Sequence, residues 1–158
     1  MKKSELKSFL DEKVDIYNNP NFIETDPIQI PHLFTLKEDI EIAGFLVATI
    51  AWGNRKSIIN NGHRIMEMMG NSPYDFVMNF SEDRAASLSN FVHRTFNNDD
   101  LIYFLKSLQN IYKNHVGLEN VFSKNAEIHS LQPAIHHFKK VFFELPHPSR
   151  TRKHISDP

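Results

Sequence analysis

The chain has 158 residues, 18 Lys+Arg against 19 Asp+Glu, 41% apolar residues, 13 Phe and no Cys. That length suits one domain able to bury roughly 70% of its unfolded surface, and the apolar fraction excludes disorder. Without Cys there is no disulfide scaffold, thiolate nucleophile or Cys-ligated metal centre, and a net charge of −1 demands no polyanionic partner.

Helical periods dominate from the start. Leu6, Phe9, Leu10, Val14 and Tyr17 follow an i, i+3, i+4 stripe behind Ser4, which predicts an N-terminal helix over residues 1–18. Pro20, Pro27 and Pro31 punctuate a connection over 19–34 that is expected to be extended. Thr35 and Glu38 have the spacing of a capping box and open a helix through Ile40, Phe45, Leu46 and Ile50. Being apolar nearly all round, that helix is expected at the centre of the fold, ending near Trp52-Gly53.

Asn54 is positioned to cap the next helix, with Ile58, Ile59, Gly62, Ile65, Met66 and Met69 as its buried stripe and Gly70 as its stop. Ser72-Pro73 with Asp75, Ser81, and Asn97 followed by Asp99 and Asp100 mark three further helix starts. Leu118, Val121 and Phe122 suggest a short turn of helix. Ser130 begins the last, with Ile135, Phe138, Val141, Phe142 and Leu145 inward. No hairpin turn signal and no long alternating run is present. The expectation is an all-α single domain of about eight helices, its core over 35–145 and a basic, Pro-containing tail over 146–158.

The longest apolar stretch, Ile42 to Gly53, is far short of the roughly 20 residues of a spanning helix, and no signal peptide is evident. A cytoplasmic, soluble protein is expected. The nine His are spread too widely for a metal cluster, and no His-Glu-x-x-His motif occurs. Neither G-x-S-x-G nor a Gly-rich phosphate loop is present, so no catalytic residue, metal or cofactor is assigned.

Charge is uneven. Residues 1–53 carry 5 basic and 9 acidic side chains, and residues 54–158 carry 13 and 10. The segment from Asn54 to Met66 holds Arg55, Lys56 and Arg64 with no acid. Here a buried helix delivers the chain's only Trp, Trp52, to a turn at Gly53, with Asn54, Arg55 and Lys56 directly after it. An aromatic face beside free backbone N–H groups and cations can stack a base and hold a phosphate. The same residues also suit a Trp filling a helix corner with solvated cations beside it.

The string from Asp39 to Arg55, with Ala51-Trp52-Gly53-Asn54-Arg55 at its end, resembles an uncharacterised bacterial family of conserved hypothetical proteins common in Bacteroidetes. Pro73-Tyr74-Asp75-Phe76, Phe91-Val92-His93-Arg94-Thr95-Phe96 and Leu118-Glu119 with Phe122 carry the same resemblance, from about Asp26 onward. Members of that family look distantly similar to helix-hairpin-helix DNA glycosylases. The resemblance implies DNA as partner and a base-recognition role in repair, with Trp52 stacking, Asn54 bonding a base edge or phosphate, and Arg55 and Lys56 neutralising backbone.

The hairpin with closely spaced Gly and the catalytic Lys or Asp of those enzymes are not found in this chain, whose Gly are 44, 53, 62, 70 and 117. The chain is therefore expected to correspond to an N-terminal or truncated portion, inactive as a glycosylase. The alternative is a non-enzymatic helical interaction module presenting a Phe-rich surface to a partner chain.

Overall fold

A computed structural model describes residues 2–88 and 90–156. The chain is helical almost throughout: α1 (Lys3–Tyr17), α2 (Pro20–Ile23), α3 (Lys37–Thr49), α4 (Arg55–Met68), α5 (Pro73–Met78), α6 (Glu82–Ser87), α7 (Asn98–Asn114), α8 (Leu118–Ser123) and α9 (Gln132–Phe142). Short 3-10 helices occupy Pro27–Gln29, Pro31–Leu33 and Ser149–His154. No helix among the described residues is long and apolar enough to cross a membrane.

α3 and α7 form the centre. α3 packs against α4, α5 and both early 3-10 helices, while α7 packs against α5, α8 and α9. Their junction is aromatic. Phe45 of α3 stacks on Phe104 of α7 at 5.7 Å between centroids and meets Phe138 and Phe142 of α9 at 5.4 and 5.6 Å. Gln109 of α7 reaches the end of α5, its amide Nε2 lying 2.9, 3.2 and 3.1 Å from the carbonyls of Val77, Met78 and Phe80. Tyr103 and Ser107 both donate to the Phe142 carbonyl, at 2.7 and 2.6 Å, pinning α9 to α7.

Local signals placed the starts of α4, α6 and α7. Asn54 Oδ1 accepts from Ser57 N at 3.2 Å, Ser81 caps α6, and Asn97 with Asp100 forms a capping box on α7. The stripe of α4 is buried at Ile58, Gly62, Ile65 and Met66, and Gly70 takes φ +64° just beyond it.

Elsewhere tertiary structure prevails over local pattern. Thr35 caps nothing: α3 begins at Lys37, its N-cap Leu36 makes no side-chain bond, and the helix ends at Thr49, ahead of Trp52-Gly53. Ser4 lies inside α1, where the Lys2 backbone N–H donates instead to Glu5 at 2.8 Å. No residue of α1 is buried, and Leu6, Phe9, Leu10, Val14 and Tyr17 form an exposed stripe, Tyr17 meeting the Phe22 ring edge-on. The connection 19–34 is wound into α2 and two 3-10 turns, each with Pro at its start, where the missing N–H costs nothing.

Two other segments depart from expectation. An antiparallel hairpin of two-residue strands, β1 (Val92–His93) and β2 (Phe96–Asn97), precedes α7 and turns through Arg94 at φ +55°. Within the tail, the 3-10 helix Ser149–His154 buries Thr151 completely and is followed by Ile155 at 8% exposure; residues 157 and 158 lie outside the described residues.

Candidate nucleic-acid interface

α3 delivers the backbone to Ile50, after which the chain turns sharply, Trp52 N donating to the Ile50 carbonyl at 2.8 Å. Gly53 follows at φ +117°. A Cβ there would meet Arg94 Nη1 at 2.9 Å, so glycine both permits the turn and leaves space for the arginine lying across it. α4 then begins at Arg55.

Trp52 is 37% exposed, so it neither fills the core nor stands free. Its indole Nε1 donates to the Thr49 carbonyl at 3.0 Å. The guanidinium carbon of Arg94 sits 5.0 Å from the indole centroid, within cation–π range. His93 meets the indole edge-on at 6.4 Å between centroids. Its Nε2 lies 3.3 Å from the Trp52 carbonyl, and its Nδ1 lies 2.8 Å from Asn61 Nδ2. A carbonyl can only accept, so Nε2 carries the ring hydrogen and Nδ1 accepts from the Asn61 amide. β1 is thereby fastened to the Trp52 turn and to α4.

The four residues singled out by sequence are contiguous at this corner, with unequal freedom. Asn54 Oδ1 is committed to capping α4, which leaves only its amide N–H groups to offer. Arg55 has 60% of its side chain exposed and approaches Asp26 only to 4.0 Å. Lys56 is exposed and makes no ion pair among the described residues.

Arg94 is the member that sequence reasoning missed as a site residue. It lies 42 positions after Trp52, and its only prior signal was membership of the Phe91–Phe96 string. Beside the turn, Pro27, Ile28, Ile40, Val47, Ala48 and Ile58 line an apolar groove of about 810 Å³ that Asp26, His32 and Arg55 also border. Among the described residues no three His, Asp or Glu side chains are grouped to hold a metal ion.

The chemistry available at this corner is therefore stacking and charge neutralisation. Arg94 supplies positive charge over one partly exposed indole, and Arg55 and Lys56 are exposed at the start of α4 just after it in the chain.

Comparison with family models places the chain: residues 26–158 match the family described as Protein of unknown function (DUF2400), and the chain belongs to that family. No curated protein and no solved structure matches it. The matched span includes Trp52, Asn54, Arg55, Lys56 and Arg94 and begins after α1.

Proposed function

We propose that the Trp52 turn binds DNA at an unstacked or single-stranded base, as the recognition portion of a bacterial base-repair protein of the DNA glycosylase type. The carrying observation is the combination at one corner of a partly exposed indole with Arg94 at cation–π distance and the exposed cations Arg55 and Lys56. Base–aromatic stacking tolerates any base because every base has a π face, while Arg and Lys track the phosphates. In this reading Trp52 stacks, Arg55 and Lys56 neutralise backbone, and Asn54 contributes an amide donor only. No residue of the chain is given a catalytic role.

Trp52 is the sole indole, so its fluorescence reports this corner alone. Titration with a single-stranded oligonucleotide is expected to quench it, with affinity falling as salt rises and counterion release loses its advantage. Trp52→Ala is expected to weaken binding roughly 5- to 150-fold, the equivalent of about 1–3 kcal/mol of stacking. Unchanged emission at low salt across the titration would refute the reading.

One observation favours a second reading, a helical interaction module. α1 holds Leu6, Phe9, Leu10 and Val14 at 41–54% exposure, none of them buried. The Phe-rich surface that this alternative called for is not found, since of 13 Phe only Phe9 is exposed and the others are buried or partly so. Its contact face would be α1 instead, and it expects no response of Trp52 to DNA.

A further inference from the structure

The hairpin that carries Arg94 is held from two sides. On one side His93 bonds the Trp52 carbonyl and Asn61. On the other, Arg150 Nη2 donates to the Thr95 carbonyl at 2.8 Å, one residue from Arg94. The same Nη2 lies 3.3 Å from Oδ2 of Asp100.

Asp100 is fully buried, and it is well anchored. Its Oδ1 accepts from Thr151 Oγ1 at 2.7 Å, and its Oδ2 accepts from the Asn97 backbone N–H at 3.1 Å. A buried carboxylate requires such partners, and once they are satisfied it is among the most rigid points of a fold. The 3-10 helix Ser149–His154 thus straps the hairpin turn to the N-terminus of α7 through one guanidinium.

Arg94 hangs from the far end of this arrangement. Its backbone sits at φ +55°, a conformation that a non-glycine residue keeps only when its flanks are fixed. Among the described residues its guanidinium makes no ion pair and no hydrogen bond, its one aromatic contact being Trp52. Its donors therefore remain available.

We propose that Arg94 is the second wall of the Trp52 site, presenting its guanidinium to a phosphate of the bound strand, and that Arg150 is the positioning residue that holds Arg94 against the indole. The phosphate contact rests on the reading of the Trp52 turn as a DNA site; the tie from Asp100 through Arg150 to Arg94 does not.

The tie is tested without DNA, by acrylamide quenching of Trp52 fluorescence, with circular dichroism and thermal melts as controls on folding. Arg94→Ala and Arg150→Ala are both expected to raise quenching and shift emission to the red, and Arg150→Ala is expected to add nothing in the Arg94→Ala background. Thr151→Val, which keeps side-chain shape and removes one partner of Asp100, is expected to act in the same direction if Arg150→Ala unfolds. A folded Arg150→Ala or Thr151→Val chain with wild-type quenching overturns the tie, as does an additive double variant.

The phosphate contact is tested on oligothymidine. Arg94→Ala is expected to cost roughly 2- to 5-fold in affinity. It is also expected to flatten the salt dependence by about 0.7 of a logarithmic unit per logarithmic unit of salt, and Arg94→Lys to restore most of that slope. Binding by the wild type that Arg94→Ala leaves unchanged overturns the role of Arg94 while the Trp52 reading stands. Absence of wild-type binding removes the phosphate contact together with that reading, and the quenching arm still decides the tie.

Discussion

The Oδ1 of Asp39 lies 2.7 Å from the backbone nitrogen of Tyr74, so a carboxylate in the first turn of α3 caps the first turn of α5. Pro73 has no N–H to satisfy, and the Ser72 side chain makes no capping bond, which leaves the Tyr74 amide to an acid 35 residues earlier. The carboxylate also opposes the positive end of the α5 dipole. Asp39→Ala is expected to destabilise the fold by about 1 kcal/mol and Asp39→Asn by less, as read from urea denaturation midpoints. An Ala variant as stable as wild type would show that the amide is served another way.

Gly62 stands in the middle of α4 because two side chains occupy its missing methyl position. A Cβ would fall 2.3 Å from Ile30 Cδ1 and 3.2 Å from Val47 Cγ2, and Ile30 is fully buried. Gly62→Ala gains about 1 kcal/mol of helix propensity and meets an overpacking cost of about 1–3 kcal/mol. The expected net is a loss of up to about 2 kcal/mol. A stabilised Gly62→Ala chain in the same denaturation experiment would mean that Ile30 rotates away freely.

Acid stability is expected to depend on His154. Its side chain is 3% exposed, and Nε2, 3.3 Å from Asp100 Oδ2, is not aligned for a hydrogen bond. Burial holds the imidazole below its ordinary value, against the pull of Asp100. A histidine whose folded value is depressed takes up its proton more readily in the unfolded chain. Stability from this group is therefore complete above about pH 6.5 and lost as pH falls below that, toward the folded value. Urea midpoints taken from neutral pH downward should decline, and His154→Gln should flatten the decline. An identical pH profile in the variant would discharge His154 from the role.

At the alkaline end two tyrosines set the limit. Burial pushes the Tyr103 hydroxyl up to about 12. Burial raises Tyr112 further still, helped by Glu41, whose carboxylate accepts its hydroxyl at 2.7 Å. Because the folded values lie above the unfolded value of about 10, the unfolded chain loses these protons first and stability falls as pH rises past 10. Ultraviolet titration of the four tyrosines should show a late phase coincident with unfolding, and Tyr112→Phe should diminish it. A single early phase containing all four would contradict this assignment.

What could be read in the sequence was what one helix decides for itself. Asn54, Ser81 and Asn97 cap the helices they precede because a side chain reaches its own backbone two or three residues on. Thr35 with Glu38 looked equivalent, but α3 begins two residues later, at Lys37, and its acid Asp39 serves α5, a partner that no local spacing reveals. Periodicity identified the apolar face of α1 and could not say whether anything covers it; among the described residues that face stays exposed. The site divides in the same way. Trp52 to Lys56 are neighbours in sequence, whereas Arg94 reaches Trp52 through a hairpin whose two-residue strands are too short to alternate, and Arg150 finds Asp100 across 50 residues. The charges at the tail were legible as charges; the buried carboxylate that receives them was not.

The bond from the Trp52 indole to the Thr49 carbonyl has a consequence for selectivity. The one polar atom of that side chain is already occupied inside the protein, so it has no donor left to interrogate the edge of a base. Asn54 has surrendered its acceptor in the same manner. If the corner binds DNA as proposed, the indole itself reads no base edge, and its contact would be governed by whether a ring is free to lie flat, as it is in a strand that has come apart and not in one that is still paired.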